Sequence, residues 1–242
     1  MKDRPYILSV AGFDPSGGAG ILADTKTFEQ HKLQGLSVVT ANTMQTEDEF
    51  ISVNWIEAEF MFQQLGLLLD RYKIRYAKIG LIKDASTLKR LLAILNERNI
   101  TCLWDPILSS TTGVDFHRQL DGFRELLPKI DYITPNWPEI KELSGENGVE
   151  GGKLLSKVTK VYLKGGHSDQ LAKDYLIKNG KVTSFKPKII GFPKHGSGCI
   201  FSSALLANLA LGYPEIKACL RAKRYTEIRL RSNESLLAYH ER

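Results

Sequence analysis

Two glycine-rich segments of the chain combine a permissive backbone with residues that can do chemistry. Residues 12–20 read GFDPSGGAG, and a turn of this kind lets the backbone approach a ligand closely. Residues 194–199 read KHGSGC and lead directly into an apolar helical pattern. The first amides of a helix have no partners within it and the helix dipole adds positive potential, so this second segment predicts an anion site.

Cys199 is the nucleophilic side chain of the second segment. A thiol at a helix N-terminus is expected to have a lowered pKa, and its thiolate can accept the proton of an attacking alcohol. Taken alone, a cysteine in this place is more often a buried, inert residue. The glycines of the first segment match neither G-x-G-x-x-G nor G-x-x-x-x-G-K-[ST], which disfavours a nicotinamide-dependent oxidoreductase.

Oxygen ligands follow two of the predicted strands. Asp105 ends one strand, and Asn136 and Glu139 follow another. Mg²⁺ takes one or two protein carboxylates beside phosphate oxygens and keeps several waters, so these residues predict a magnesium site that acts partly through water. Lys164 ends a further strand, where a lysine can neutralise ATP phosphates. The alternative for Asn136 and Glu139 is a helix cap with Pro138 in the first turn.

Short apolar runs alternate with helical patterns and must position these residues. The runs that we interpret as buried strands are residues 6–11, 37–41, 77–79, 101–104, 132–134 and 161–163. Two apolar stripes at helical spacing are Met61, Leu65, Leu68, Leu69 and Tyr72, then Leu88, Leu91, Leu92 and Leu95, the second after a cap at Asp84 or Ser86. The alternation predicts an α/β fold whose mostly parallel sheet is covered on both faces, with ligands at the carboxyl ends of the strands.

The last third of the chain adds an antiparallel signal. Asn179-Gly180 lies between residues 174–178 and 181–185 and predicts a type I′ hairpin, so we expect a mixed sheet. An apolar helix is predicted over residues 198–211 and a final helix from about Glu215. Because no linker or repeat interrupts the 242 residues, one domain over residues 1–242 is expected.

Composition argues against several classes of protein. The net charge is +6, but Lys and Arg alternate with Asp and Glu, so no nucleic-acid partner is expected. No stretch approaches the ~18 apolar residues of a membrane span, and the start MKDRPYILSV lacks a secretory signal. Cys102, Cys199 and Cys219 are odd in number and far apart, as is typical of reduced thiols. A soluble, cytoplasmic protein is expected.

Taken in order, these segments resemble the hydroxymethylpyrimidine and phosphomethylpyrimidine kinases of thiamine synthesis, within the ribokinase-like family. The segments that carry the resemblance are residues 12–21, 23–28 (ADTKTF), 40–45 (TANTMQ), 78–80 (KIG), 105–106 (DP), 134–139, 164–167 and 195–199. Each segment alone is weak evidence, whereas the ordered set is specific. The resemblance implies a three-layer ribokinase-like α/β fold, ATP as co-substrate with Mg²⁺, and a small hydroxymethylpyrimidine or its phosphate as acceptor.

The resemblance also implies a role for each candidate residue. A substrate pocket would be lined by Gly12, Ala19, Asp24, Gln45, Leu81 and Ile107. Cys199 would be the catalytic base, Gly196, Ser197 and Gly198 the anion hole, Lys164 and Asn136 the ATP-binding residues, and Asp105 and Glu139 the metal ligands. The chemistry is consistent, because an aminopyrimidine offers an amine donor beside a ring-nitrogen acceptor that the Gln45 amide can pair with.

Some positions depart from the family's pattern. Phe13 stands where a small polar residue is common, Leu81 where Met is frequent, and Ser197 and Ile200 replace threonines. The changes at Phe13 and Leu81 make a pyridoxal kinase the nearest rival interpretation. A non-catalytic pyrimidine-binding protein of the same fold is the rival from another class.

Three properties stay open at the level of sequence. They are the number of phosphorylation steps, the residues that contact adenine and the oligomeric state, for which a homodimer is permitted. Residues 109–116 and 43–52 are candidate lids on composition alone, since small kinases often shield the reaction from water.

Overall fold

A computed structural model describes residues 4–108, 120–167 and 172–240 of the chain. The strands are β1 Tyr6–Phe13, β2 Gln34–Gln45, β3 Phe50–Trp55, β4 Tyr76–Ile79, β5 Thr101–Trp104, β6 Tyr132–Ile133, β7 Lys160–Leu163, β8 Asp174–Lys178 and β9 Lys181–Phe185. The helices are α1 Gly20–Gln30, α2 Ala58–Arg71, α3 Ala85–Glu97, α4 Asp121–Arg124, α5 Trp137–Ser144, α6 Gly148–Leu155, α7 Ser197–Ala210 and α8 Glu215–Leu230.

The nine strands form one mixed sheet in the order β3-β2-β1-β4-β5-β6-β7-β8-β9. The six strands from β2 to β7 are parallel to one another, whereas β3 at one edge and β8 and β9 at the other pair antiparallel. Strand β1 pairs with β2 on one side and β4 on the other. The direction of chain progression therefore reverses beside β1, which is where an α/β sheet opens a crevice for ligands.

Successive side chains of a strand point to opposite faces of the sheet, so each strand contributes to two separate apolar layers. Cys102 and Trp104 of β5 lie in the cluster formed with α2, α3, α5 and α6, whereas Leu103 lies in the cluster formed with α1, α7 and α8. Each fully buried aliphatic side chain contributes roughly 1.5–3 kcal/mol to the free energy of folding. The predicted three-layer fold, with a mostly parallel sheet and helices on both faces, is confirmed.

The caps, turns and strands predicted from the sequence are mostly found at the expected residues. Asp84 caps α3, because its side chain accepts the Thr87 amide at 2.7 Å. Asn179 and Gly180 both have positive φ, 49° and 75°, as a type I′ turn requires, and they join β8 to β9. The six predicted strands all exist, and none of the described helices is long and apolar enough to cross a membrane.

Strand β3 was not predicted from the sequence, and neither were the short helices α4 and α6. Strand β3 pairs antiparallel with the second half of β2, and its side chains are mostly half-buried or exposed, so it lacks the apolar run of a core strand. Residues 43–52, a candidate lid, therefore belong largely to this edge hairpin. The other candidate lid, residues 109–116, lies outside the described residues.

Candidate active site

The two glycine-rich segments contact each other at the carboxyl end of β1. Gly196 has φ of 71°, and a Cβ there would overlap the carbonyl oxygen of Gly18. Gly20 has φ of 57°, and a Cβ there would overlap the carbonyl oxygen of Gly12. Only glycine combines a left-handed backbone with so close an approach. The packing brings the first turn of α7 to the loop that follows β1.

An aspartate and a histidine link these two segments. The Asp14 carboxylate, 1% exposed, lies 2.9 Å from Nε2 of His195 and accepts the Ala19 amide at 2.7 Å. Burial raises the pKa of Asp14, but these bonds and those from Ser16 outweigh it and bring the pKa below its usual value. The link was not predicted, because 181 positions separate Asp14 from His195.

Cys199 lies in the first turn of α7, as the sequence predicted, but its ionisation differs from expectation. The side chain is buried in a small cluster with Ala23 and Ile200. Burial raises the pKa of the Cys199 thiol to about 11, although Lys78 and the Gly20 amide both lower it. The expected lowered pKa is therefore wrong, because desolvation of the thiolate exceeds the helix-end effect.

Asp105 and Lys164 form an ion pair beside the start of α7. Lys164 Nζ donates to Asp105 Oδ1 at 2.7 Å, and Thr134 donates to the same oxygen at 2.9 Å. Ser202 of α7 donates to Oδ2 at 3.0 Å. Burial raises the pKa of Asp105, but the neighbouring ammonium groups outweigh it and lower the pKa. A Cβ at Gly198 would lie only 3.2 Å from Lys164 Nζ, so the ion pair borders the glycine-rich helix start.

Asn136 and Glu139 form the helix cap that the sequence offered as an alternative to a ligand role. The Asn136 side chain accepts the Glu139 amide at 2.8 Å, and Glu139 Oε2 accepts the Asn136 amide at 2.7 Å. Lys164 Nζ is 3.8 Å from Glu139 Oε2. Burial raises the pKa of Glu139 to about 7 despite this lysine. A buried carboxyl of this kind next to Asp105 fits a divalent cation, whose charge would favour ionisation.

The residues expected around a substrate lie at the ends of neighbouring strands. A Cβ at Gly12 would lie 3.2 Å from Leu81 Cδ2, so these two residues are adjacent. The Gln45 amide donates to Thr43 Oγ1 at 2.8 Å, and Thr43 donates to the Phe13 carbonyl at 2.8 Å, which ties the end of β2 to the end of β1.

Two further candidate substrate residues pack beside the thiol. Ala19 and Ile107 are partly buried against the cluster that contains Cys199. A methyl and an aliphatic side chain thus border this cluster, one at the start of α1 and one after β5. Apolar surfaces of this kind suit the flat ring of a small heteroaromatic acceptor.

Asp24, the remaining candidate substrate residue, has several protein partners. Its carboxylate is fully buried, pairs with Lys78, and accepts Ser9 Oγ at 2.6 Å and Ser203 Oγ at 2.7 Å. Both oxygens already accept hydrogen bonds from protein donors, and a direct bond from Asp24 to a substrate stays a prediction. The other interpretation of Asp24, a charge in the first turn of a helix, is wrong, because α1 begins at Gly20 and its first turn contains no acidic residue.

Comparison with known proteins decides the family. The family model for phosphomethylpyrimidine kinase matches residues 14–241. This chain belongs to the phosphomethylpyrimidine kinase family. The resemblance drawn from the ordered motifs is thereby confirmed.

Individual relatives of this kinase agree. A hydroxymethylpyrimidine/phosphomethylpyrimidine kinase of Staphylococcus aureus (strain Mu50 / ATCC 700699) is 30% identical over 239 residues, covering 92% of this chain and 87% of the relative. The crystal structure of phosphomethylpyrimidine kinase from Clostridium difficile 630 matches with a TM-score of 0.80 at 28% identity, covering 92% of this chain and 98% of the other.

A second solved structure extends the likeness of fold. The pyridoxal kinase of Staphylococcus aureus in complex with ADP has a TM-score of 0.86 at 22% identity, covering 99% of this kinase and 94% of the other chain. At this identity the match speaks for the ribokinase-like fold alone. The protein is a phosphotransferase with that fold.

Proposed function

We propose that this kinase transfers the γ-phosphoryl group of ATP to the hydroxymethyl oxygen of 4-amino-5-hydroxymethyl-2-methylpyrimidine, and then phosphorylates the monophosphate. The observation that carries the proposal is the meeting of three features at one sheet edge. They are the thiol of Cys199, the glycine-rich start of α7 and the pair of Lys164 with Asp105. Acceptor base, anion site and phosphate counter-charge are the parts that phosphoryl transfer needs.

The acceptor ring would lie between the ends of β1, β2 and β4. Gly12 and Leu81 are adjacent there, and Gln45 is tied to Thr43, which in turn donates to the Phe13 carbonyl. The Gln45 amide can exchange its bond with Thr43 for a pair of bonds to the aminopyrimidine edge. Ala19 and Ile107 would orient the hydroxymethyl group toward Cys199, because both pack against the small cluster that contains this thiol.

The transfer itself is an in-line displacement. Cys199, as thiolate, takes the proton of the acceptor hydroxyl while that oxygen forms its bond to the γ-phosphorus. The bond from the γ-phosphorus to the bridging oxygen breaks, and ADP leaves with the electron pair. The amides of Gly196, Ser197 and Gly198 at the start of α7 bind the transferring group as its charge develops, and Lys164 neutralises the nucleotide phosphates.

Asp105 and Glu139 are the residues that would bind Mg²⁺, with Asn136 positioning Glu139 through the helix cap. When bound, the ion would neutralise phosphate charge and help to orient the nucleotide. Because the pKa of Asp105 is lowered, its carboxylate carries a negative charge near neutral pH, whereas Glu139 would ionise when the cation binds.

The test is a coupled ADP-release assay with Mg²⁺-ATP and three acceptors: hydroxymethylpyrimidine, its monophosphate and pyridoxal. We expect turnover on both pyrimidines, with the phosphorylated products confirmed by mass. Turnover on pyridoxal alone would replace this proposal with a pyridoxal kinase. Tight pyrimidine binding without turnover on any acceptor would replace it with a non-catalytic binding protein.

Variants at two buried cysteines test the base. Cys199→Ala should lower kcat by roughly 10²-fold or more while pyrimidine binding is retained. Cys219→Ala is the matched control, since Cys219 is also a buried helical cysteine but lies in α8, outside the site. Equal kcat values for the two variants would remove Cys199 from the role of base.

A further inference from the structure

A buried ion pair lies beneath the start of α7 and has no part in the function proposed above. Lys78 of β4 and Asp24 of α1 pair with each other, and both side chains are 0% exposed. Ser9 of β1 and Ser203 of α7 donate to the same carboxylate, so four elements meet at one charge centre. A buried ion pair seldom stabilises a fold more than apolar residues of similar volume would, which directs attention to another role.

The Lys78 ammonium is held on one side only. An ammonium has three N–H donors, and among the residues that the structure describes the hydrogen-bond acceptor of Nζ is Asp24 Oδ1. Burial opposes the charge on Lys78, but Asp24, with contributions from Cys199 and Asp105, raises its pKa above the usual value. Lys78 therefore remains a cation, and its charge interacts with the Cys199 thiol.

Two short connections join this ion pair to Cys199. Ser203, which donates to Asp24, follows Cys199 by one helical turn in α7. Ala23, the neighbour of Asp24 in α1, belongs to the small buried cluster that contains Cys199. Because Lys78 and Ser203 donate to the same oxygen of Asp24, the ammonium lies close to the helical turn that begins with Cys199.

We propose that Lys78 is a positioning residue for phosphoryl transfer, whose buried positive charge, fixed by Asp24, Ser9 and Ser203, favours the thiolate form of Cys199. The inference rests on the proposed role of Cys199 as base. It also gives the Asp24 carboxylate a role at the acceptor site that involves no contact with substrate. The Asp24 carboxylate keeps the Lys78 ammonium charged and holds it in position.

Other charged groups also act on the thiol. Asp24 and Asp105 disfavour its ionisation, whereas Lys78 favours it. Lys164 interacts with the thiolate from the end of β7, and Tyr225 of α8 packs against the cluster. Lys78 is the cation with the largest influence on Cys199, so its removal has the clearest expected effect.

The experiment measures the alkylation rate of Cys199 by iodoacetamide between pH 7.5 and 9.5, with peptide-resolved mass spectrometry. Cys102 and Cys219 in the same sample are controls for unfolding, because both are 0% exposed and should react only if a variant loses its fold. At a fixed pH the rate follows the thiolate fraction, and one pKa unit corresponds to a tenfold change. We expect Lys78→Met to slow alkylation of Cys199 about tenfold and to lower kcat with little change in KM for the acceptor.

A second variant keeps the proposal testable if Lys78→Met does not fold, since that change leaves Asp24 buried and unpaired. The double variant Lys78→Met with Asp24→Asn removes both charges, and it should slow alkylation in the same direction by a smaller factor. Lys223→Met is the matched control, because Lys223 is another buried lysine, paired with Asp174 in a different part of the molecule. It should leave the alkylation rate of Cys199 unchanged.

The outcomes separate this inference from the proposed function. An unchanged alkylation rate in a folded Lys78→Met or double variant would overturn the role of Lys78, whatever the kinase assay gives. If Cys199→Ala retains full turnover, the thiol is not the base and the proposal for Lys78 loses its catalytic meaning. A slowed alkylation with a matching fall in kcat would support both assignments.

Discussion

At the scale of single residues, Gly198 leaves room where two charged side chains approach the start of α7. A Cβ at this position would lie 3.2 Å from Lys164 Nζ and 3.8 Å from Asp105 Oδ2. We expect Gly198→Ala to lower kcat roughly tenfold or more, because the methyl group displaces Lys164 and narrows the space for the transferring group. Steady-state kinetics with Mg²⁺-ATP would measure the effect.

A glycine in another helix supplies the control for that change. A Cβ at Gly66 of α2 would have no heavy atom within 4 Å outside its own helix backbone and chain neighbours. Gly66→Ala should therefore keep kcat and stabilise the fold by up to about 1 kcal/mol through helix propensity. Wild-type kcat in the Gly198 variant would contradict the anion-hole assignment.

Glu139 makes a prediction about pH. Its folded pKa is about 7, above the usual 4.5, so the folded protein keeps a proton that the unfolded chain releases. This contribution to stability is complete below about pH 4.5 and is lost as pH rises through 7. We expect the unfolding free energy of Glu139→Gln relative to wild type to rise by up to about 3 kcal/mol between pH 5 and pH 8, at ~1.4 kcal/mol per pKa unit.

Denaturant titrations without Mg²⁺ at the two pH values would measure that difference. Glutamine can still accept the Asn136 amide, so the helix cap should persist in the variant. Added Mg²⁺-nucleotide should reduce the pH dependence of the wild type, because a nearby cation favours the ionised carboxylate. A stability difference that does not vary with pH would contradict the raised pKa.

At the scale of elements, the segment after α8 covers both glycine-rich loops. Lys194 Nζ donates to the Asn233 carbonyl at 2.6 Å and also to Ser235, and the His195 amide donates to the Leu236 carbonyl at 2.9 Å. A Cβ at Gly18 would lie 2.9 Å from Leu237 Cδ2. The C-terminal segment thus supports the turn that begins α7.

Lys194→Met should weaken this support. The variant loses the charge-assisted bonds from the Lys194 ammonium to the Asn233 and Ser235 carbonyls, which costs roughly 1–3 kcal/mol. We expect lower stability and a lower kcat, measured by denaturant unfolding and by the kinase assay. Lys188→Met, at an exposed position of the preceding loop, is the control and should stay within about 0.5 kcal/mol of wild type. Equal stability of Lys194→Met and Lys188→Met would contradict the idea that the C-terminal segment supports the turn that begins α7.

At the scale of the whole molecule, nucleotide binding at one sheet edge should stabilise every element connected to the sheet. Saturation with the unreactive analogue AMP-PCP and Mg²⁺ at 100 times Kd adds about 2.7 kcal/mol. For a chain of this size, the expected rise in Tm is roughly 5–10 °C. Calorimetry would show the shift as one transition if residues 1–242 behave as a single domain, as we propose.

A variant of the nucleotide site gives that measurement its control. Lys164→Met should reduce the shift produced by AMP-PCP, because the lysine that would face the phosphates is lost. A full shift in this variant, or two separate transitions in the wild type, would contradict the assigned nucleotide site or the single domain respectively.

Sequence signals that depend on neighbouring residues predicted much of the secondary structure of this protein. Strand β5 and the hairpin at Asn179-Gly180 lie where expected, because side-chain alternation and turn chemistry depend on adjacent residues. The cap formed by Asn136 and Glu139 joins residues three positions apart and was recognisable for the same reason. The ordered motifs were sufficient to indicate the family, since they combine independent local features.

Tertiary structure alone decided how the site is charged. The link of Asp14 with His195 joins residues 181 positions apart, and the pairing of Asp24 with Lys78 joins residues 54 apart. Burial reversed the expected pKa shift of Cys199. Hydrogen-bond partners and desolvation depend on which distant segments pack together, and so the residue types were evident from sequence while their partners and protonation states were not.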